Sequence, residues 1–211
     1  LYSITLSLSD KIDTLVGFFG INLIPTGSRD PYALRRNTIG LVRLIVENKI
    51  RIKLRSIINY SLTLYKEQGY EFDITKVLKE LNNFILDRLK NYSKEKDIRA
   101  DIMESSILSN DIDDIYNGYK KAEILNRNIK KQVGLDVVGI YKRSFNILNS
   151  EIIKNKLELS NSVDTGLFKN DFEKNLYKKI QDLKKYFINS DKNNNFEESL
   201  KELFKFKQDV N

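Results

Sequence analysis

The stretch that decides the fold runs from Asp10 to Arg43 and reads DKIDTLVGFFGINLIPTGSRDPYALRRNTIGLVR. It contains both prolines and four of the nine glycines of the 211-residue chain. Its first part predicts a helix, because apolar residues recur at the spacing that places them on one helical face. These residues are Ile12, Leu15, Val16 and Phe19. Gly20 follows them and is a typical stop signal for a helix.

The middle of the stretch predicts a turn and then a second helix. Residues 25–28, Pro-Thr-Gly-Ser, have turn chemistry, because proline presets φ and glycine takes a positive φ without a steric clash. Asp30 and Pro31 predict the helix start. The aspartate is suited to the N-cap, and proline at the first helical position loses only an N–H that has no helical partner.

This second helix is predicted to carry a basic ridge near its start. Its apolar stripe comprises Leu34, Leu41 and Ile45. Arg36 and Arg43 lie two turns apart on another face. Together with Arg29 and Arg35 they are candidates for holding phosphates, because guanidinium groups fit phosphate oxygens and a helix N-terminus adds unpaired N–H groups. An equally supported alternative is that Arg35 and Arg36 pair with carboxylates within the fold.

The rest of the chain predicts helices throughout and no sheet. In the first half of the chain, helices are expected at residues 31–48, 53–67, 73 to about 89, and 97–106. The next helix is expected to begin at Asp111 or Asp113 and to end at about residue 128. After Gly134, helices are expected at about 137–148, at about 168–183, and from 195 to about 206. The residues expected to face inward on the third and fourth helices are Leu54, Ile57, Ile58, Leu62, Val77, Leu81, Phe84, Ile85 and Leu89. Residues 161–165 are predicted to form a polar linker. The expected fold class is therefore all-α, a multi-helix bundle.

Lys142 and Arg143 form a second basic candidate site. Tyr141 and Phe145 flank them, and charge beside aromatic rings is the combination that single-stranded RNA recognition uses. Both aromatic residues also share a helical stripe with Val137, Val138 and Leu148, which favours packing in the core.

The composition limits the classes of function that the chain can have. A formal net charge of +7 and a pI near 9.3 favour a polyanionic partner. The chain has no histidine and no cysteine, which removes the commonest general base, the commonest metal ligand and any thiolate site. Apolar runs are too short to span a membrane. These features predict a cytoplasmic helical protein with no catalytic residue, cofactor, metal or membrane partner of its own.

The decisive stretch resembles the β subunit of bacterial heterotetrameric glycyl-tRNA synthetase. In that family Ala-Asp-Lys-Leu-Asp-Thr-Leu-Val-Gly is followed by a connector and by Pro-Thr-Gly-Ser-Lys-Asp-Pro-Phe-Ala-Leu-Arg-Arg. The chain departs from this pattern by mild changes at Ser9, Ile12, Arg29 and Tyr32. Residues 84–89 (FILDRL) and 142–148 (KRSFNIL) resemble two further family signatures, Phe-x-x-x-Arg-Leu and Lys-Arg-x-x-Asn-Ile-Leu.

The resemblance implies a domain organisation. Residues 1–28 correspond to the last helix of an HD-like helical domain and its connector. Residues 29–211 correspond to a helical C-terminal domain, truncated at its C-terminus, that resembles a DALR-like anticodon-binding domain. Ala33-Leu34-Arg35 after Asp30 is similar to the Asp-Ala-Leu-Arg signature of such domains. The chain is expected to be a fragment of a larger subunit.

The resemblance also implies a role. The whole enzyme attaches glycine to tRNA(Gly) with ATP and Mg, and its α subunit carries the adenylation site. Two α and two β subunits form the heterotetramer. The fragment is expected to bind tRNA(Gly) on the anticodon side and to contribute no catalytic site. The expected tRNA-binding residues are Arg29, Arg35, Arg36, Arg43, Lys142 and Arg143.

The sequence allows three interpretations of the function. The chain is either an RNA-binding region or a helical interaction module for subunit assembly, which predicts little RNA affinity and a large exposed apolar patch. An HD-type phosphohydrolase remnant is a third possibility, because Asp10 resembles the final aspartate of such sites. The absence of histidine disfavours this third interpretation, so Asp10 and Asp13 are expected to be solvated or capping carboxylates.

Overall fold

A computed structural model of the chain describes residues 2–108, 112–155, 162–192 and 195–210. Within these ranges the chain forms nine α-helices and no strand, which confirms the predicted all-α class. The helices are α1 (Tyr2–Gly20), α2 (Leu34–Glu47), α3 (Leu54–Glu67), α4 (Ile74–Glu95), α5 (Ala100–Leu108), α6 (Ile115–Ile129), α7 (Gln132–Asn155), α8 (Asp171–Lys192) and α9 (Phe196–Val210). Short 3₁₀ turns cover Ile112–Asp114 and Thr165–Leu167. None of these helices combines the length and the apolar character needed to cross a membrane.

The chain divides into two compact units, Leu1–Asn126 and Arg127–Asn211. In the first unit α1 packs against α2, α3 and α4, while α2 and α5 also pack against α4. In the second unit α9 packs against α7 and α8. The helices on either side of the connector, α1 and α2, thus belong to the same unit. The domain boundary that the family resemblance implies between residues 28 and 29 stays a prediction.

The core of the first unit includes most of the residues that helical periodicity selected. Each of the following is at most 4% exposed: Ile12, Leu15, Val16, Phe19, Leu34, Leu41, Ile45, Leu54, Ile58, Leu62, Val77, Leu81, Ile85 and Leu89. Phe84 was expected to point inward as well and is half-buried. Its ring meets that of Phe19 edge to face, with the centroids 5.2 Å apart. The predicted inward faces of the first four helices are therefore confirmed, except that Ile57, which was also predicted to face inward, is only half-buried.

The start of α2 differs from the prediction. The helix begins at Leu34 and not at Asp30 or Pro31, because Ala33 adopts the left-handed conformation, with φ 54°, which a right-handed helix does not contain. Residues 30–33 form a turn in which the N–H of Ala33 donates to the carbonyl of Asp30 at 3.1 Å. Asp30 still caps the helix from this turn. Its carboxylate oxygens accept hydrogen bonds from the N–H groups of Leu34 at 2.8 Å and Arg35 at 3.0 Å.

The cap of α6 also differs from the prediction. Asp114 caps this helix, because its Oδ1 accepts a hydrogen bond from the N–H of Asn117 at 3.0 Å. Asp113 accepts instead from the N–H of Arg55 at the start of α3, at 2.8 Å. Asp111, the other predicted cap, lies outside the described residues. The acidic cluster therefore caps two helices that are distant in sequence.

Two further boundaries can be compared with the prediction. Asp73 caps α4 as expected, since its Oδ1 accepts from the N–H of Lys76 at 3.0 Å. Gly134 was expected to precede α7, but the helix begins at Gln132 and Gly134 lies in its first turn. Residue 161 of the predicted linker lies outside the described residues, and Thr165 opens a 3₁₀ turn.

Asp30 provides a test of how α2 is anchored. We expect Asp30→Ala to lower the free energy of unfolding by about 1 kcal/mol, because the two N–H groups at the start of α2 lose their acceptor. Asp30→Asn should lose less, since its amide oxygen retains one acceptor. Urea unfolding followed by circular dichroism measures the difference. Asp10→Ala, which removes an exposed carboxylate from the middle of α1, is the control. Equal losses in Asp30→Ala and Asp10→Ala would contradict the capping role.

Tyr92 is a buried titratable residue of α4, 3% exposed. Its hydroxyl donates to Glu47 Oε1 at 3.4 Å, and its ring lies 5.8 Å from that of Tyr119. Burial, followed by the negative charge of Glu47, raises the pKa of Tyr92 from 10.0 to about 12. The folded state therefore favours the protonated phenol.

This pKa predicts a loss of stability in alkali. The stabilisation from protonated Tyr92 is complete below pH 10 and is lost as the pH rises from 10 to about 12. Between about pH 9 and pH 11.5, the free energy of unfolding should fall less in Tyr92→Phe than in the parent chain, by about 1–2 kcal/mol. Urea unfolding at both pH values measures this. An identical fall in the two proteins would refute the assignment.

Candidate nucleic-acid interface

The connector between α1 and α2 is held by Arg35. Thr26 and Arg29 exchange backbone hydrogen bonds of 2.8 and 3.2 Å, which close a tight turn around Gly27 at φ 49°. The guanidinium of Arg35 donates to the carbonyl of Gly27 at 2.6 Å and to that of Arg29 at 3.5 Å. The alternative that Arg35 pairs with a carboxylate is therefore wrong. Its donors stabilise the connector backbone.

The N-terminus of α2 does not offer the anion site that the sequence suggested. The N–H groups of Leu34 and Arg35 already bond to Asp30. The carboxylate also places a negative charge where a phosphate would have to bind, and like charges repel at this distance. Any anion-binding role in this region depends on side chains.

The exposed face of α2 brings three cations together. Arg36 and Arg43 are both exposed, and Gly40 lies between them on the same face. The side chain of Lys11 from α1 crosses α2 at this glycine, because a Cβ built at Gly40 would lie 3.0 Å from Lys11 Cε and 3.4 Å from Lys11 Nζ. We call Lys11, Arg36 and Arg43 the cationic face. Its two arginines lie about 10 Å apart along the helix axis.

Sequence reasoning missed Lys11. Lys11 directly precedes Ile12, so the sequence shows that it borders the buried stripe of α1. The sequence does not show which neighbouring helix the Lys11 side chain contacts. A glycine within a basic helix was the available signal, because it leaves room for a long side chain from a neighbouring element.

The cations of this region differ in their partners. Arg43 Nη2 lies 3.2 Å from Glu95 Oε2, and both side chains are more than half exposed, at 51% and 57%. An exposed pair of this kind contributes at most about 1 kcal/mol, so a phosphate can compete for the guanidinium. Arg29 and Arg36 are exposed and form no ion pair within the described part of the chain.

Lys142 and Arg143 belong to the second unit and lie on α7, where both are exposed. The expectation that Tyr141 and Phe145 pack in the core is wrong, because they are 66% and 51% exposed. Their rings stack on each other, with centroids 6.0 Å apart and planes inclined by 22°. Leu148 on the same stripe is 45% exposed. Periodicity placed these residues on one face correctly, but it does not show whether another element covers that face.

Carboxylates form no comparable site in the part of the chain that the structure describes. No group of three or more His, Cys, Asp or Glu residues there could hold a metal ion. Asp10 and Asp13 are exposed on α1, and the backbone carbonyl of Asp13 accepts a hydrogen bond from the Tyr65 hydroxyl at 3.3 Å.

Comparison with known proteins gives the same family as the sequence motifs. A family model described as "Glycyl-tRNA synthetase beta subunit" matches residues 1–108, just over half of the chain. The glycine–tRNA ligase β subunit of Clostridioides difficile is 33% identical over 181 residues, which is 86% of this chain and 25% of the relative. That of Cereibacter sphaeroides is 35% identical over 179 residues, 85% of this chain and 26% of the relative. That of Rickettsia canadensis is 33% identical over 196 residues, which is 92% of this chain and 27% of the relative.

The chain spans about a quarter of the length of the curated relatives it matches. The match includes α1, the connector and the cationic face of α2. On the extent of this match, the chain belongs to the glycyl-tRNA synthetase β subunit family.

Proposed function

We propose that this chain is the C-terminal, tRNA-binding region of a glycine–tRNA ligase β subunit and that it binds tRNA(Gly) on the anticodon side. In this proposal the whole cytoplasmic enzyme, two α and two β subunits, uses ATP with Mg to attach glycine to tRNA(Gly). The region itself supplies binding and no chemistry. The family name supports the tRNA and the α subunit as partners.

The observation that carries the proposal is the cationic face. Lys11, Arg36 and Arg43 lie together on the surface of the first unit, and Arg36 has no competing carboxylate among the described residues. Guanidinium groups bond to phosphate oxygens through two parallel N–H donors, which fixes geometry as well as charge. A net charge of +7 on the chain adds longer-range attraction for a polyanion. Arg29, Lys142 and Arg143 stay in the proposed tRNA-binding set as exposed cations, and Arg35 stays in it with its guanidinium already bonded to two connector carbonyls.

Charge reversal on the cationic face tests the proposal. We expect Arg36→Glu with Arg43→Glu to weaken binding of a labelled tRNA(Gly) transcript at least tenfold at about 0.1 M salt, because two phosphate contacts are lost. The dependence of log affinity on log salt should become shallower by about 1–2 units. Both side chains are exposed, so helicity should not change. Fluorescence anisotropy across a salt series measures the affinity, and circular dichroism measures the helicity.

A matched control exists on α8. Lys178 and Lys185 are also exposed and seven residues apart in a helix, so Lys178→Glu with Lys185→Glu changes the net charge by the same amount. This control should weaken binding much less. If the two double variants behave alike, the chain binds RNA through net charge and the cationic face is not the site.

A competition experiment tests whether the chain binds the anticodon side of the tRNA. An unlabelled tRNA(Gly) with an altered anticodon should compete more weakly than the natural transcript. Equal competition would show that the chain contacts the tRNA backbone only, and the anticodon assignment would be wrong.

One observation favours the second candidate, a protein-interaction module. A groove of about 360 Å³ lies between the first half of α1 and the segment that joins α2 to α3, and its apolar lining includes Ile4, Leu8, Ile50 and Ile52. Leu6 on the same half of α1 is 73% exposed. This candidate predicts docking of another protein segment with little RNA affinity. Absence of tRNA binding at low salt would favour it.

A further inference from the structure

We infer that the stacked rings of Tyr141 and Phe145 on α7 form a platform for unpaired RNA bases, with Lys142 binding the adjacent phosphate. The inference rests on the proposed function, since it assumes RNA as the partner. It deepens that function by naming residues that contact bases.

The geometry of the rings supports a stacking role. More than half of each side chain is exposed, 66% for Tyr141 and 51% for Phe145. Their planes are inclined by only 22°, so the outer surface of each ring is an open aromatic face. At a centroid separation of 6.0 Å no base fits between them, and a base stacks on an outer face. Aromatic side chains that bind single strands in this way tolerate any base, because every base has a π-face.

The charges of α7 support a polyanion as the occupant. Between Asp136 and Glu151 the only charged residues are Lys142 and Arg143. At about 100° per residue, Lys142 lies next to Phe145 on the helix surface, three positions before it. Arg143 lies about 160° around the helix from Tyr141. Lys142 is therefore placed to bind the phosphate of a stacked nucleotide, and Arg143 is not.

Unpaired RNA fits this surface better than a duplex does. In a duplex the bases stack on one another, and the aromatic faces of the protein would have no partner. In a loop or single strand the bases are free to stack on side chains. The competing occupant is an apolar protein surface, because Ile147 and Leu148 are also exposed on α7.

The test uses the full 211-residue chain and two labelled RNA probes. One probe is a single strand of about 12 nucleotides, and the other has the same phosphates with abasic sites in place of the bases. We expect Tyr141→Leu with Phe145→Leu to weaken binding of the base-bearing probe about 5- to 100-fold. Binding of the abasic probe should not change. Tyr141→Phe should retain the parent affinity, because it keeps the ring.

Two controls make the readout specific. Ile147→Ala with Ile153→Ala removes exposed apolar side chains from the same helix, at 59% and 71% exposure, and should leave RNA binding unchanged. Lys142→Glu should weaken binding of both probes more than Arg143→Glu does. Circular dichroism checks that each variant keeps its helicity.

The outcomes separate this inference from the proposed function. If the parent chain binds the base-bearing probe and the double leucine variant binds it equally well, the platform is refuted while the proposed function stands. If that variant instead changes only the self-association of the chain in analytical ultracentrifugation, the face is a protein contact and the inference is wrong. If the parent chain binds neither these probes nor tRNA(Gly) at low salt, both proposals fail.

Discussion

Burial of one face of α1 against three other helices is the constraint on which the first unit depends. Leu15, Val16 and Phe19 are each at most 2% exposed, so the rotation of α1 about its axis is fixed. With that rotation fixed, Lys11 emerges at the border of the core and crosses α2 at Gly40. The cationic face is thus a direct consequence of core packing. Its charges come from two helices that are held together by apolar contacts.

The charged residues of the connector motif divide into two groups. Asp30 and Arg35 satisfy backbone groups, because the carboxylate accepts from the first N–H groups of α2 and the guanidinium donates to connector carbonyls. Arg29, Arg36 and Arg43 remain exposed to solvent. A motif of similar residue types thus contains both the groups that shape the turn and exposed cations that can meet a ligand, Arg43 by exchanging its exposed partner Glu95. Only the structure separates these two roles, since all are Arg or Asp within one short stretch.

The sequence predicted most of the helices and their buried faces. In a half-buried helix, apolar residues recur with a period of 3.6 residues, and this pattern can be recognised without knowledge of tertiary contacts. It misplaced the start of α2, since nothing in an alanine signals the left-handed conformation of Ala33. It missed Lys11, because the crossing partner of a side chain depends on tertiary packing. It also predicted burial for Tyr141 and Phe145. A period identifies a shared face, but only neighbouring elements determine whether that face is covered.

Gly40 has a consequence beyond its place in α2. It carries no charge, yet its missing side chain leaves the space in which the end of the Lys11 side chain crosses α2 between Arg36 and Arg43. A methyl group at this position would lie 3.0 Å from Lys11 Cε, so the flexible end of the Lys11 side chain would have to shift by a few tenths of an ångström. The position of Lys11 beside the two arginines therefore depends on a residue that has no side chain. A count of Lys and Arg residues alone would not identify Gly40 as part of this surface.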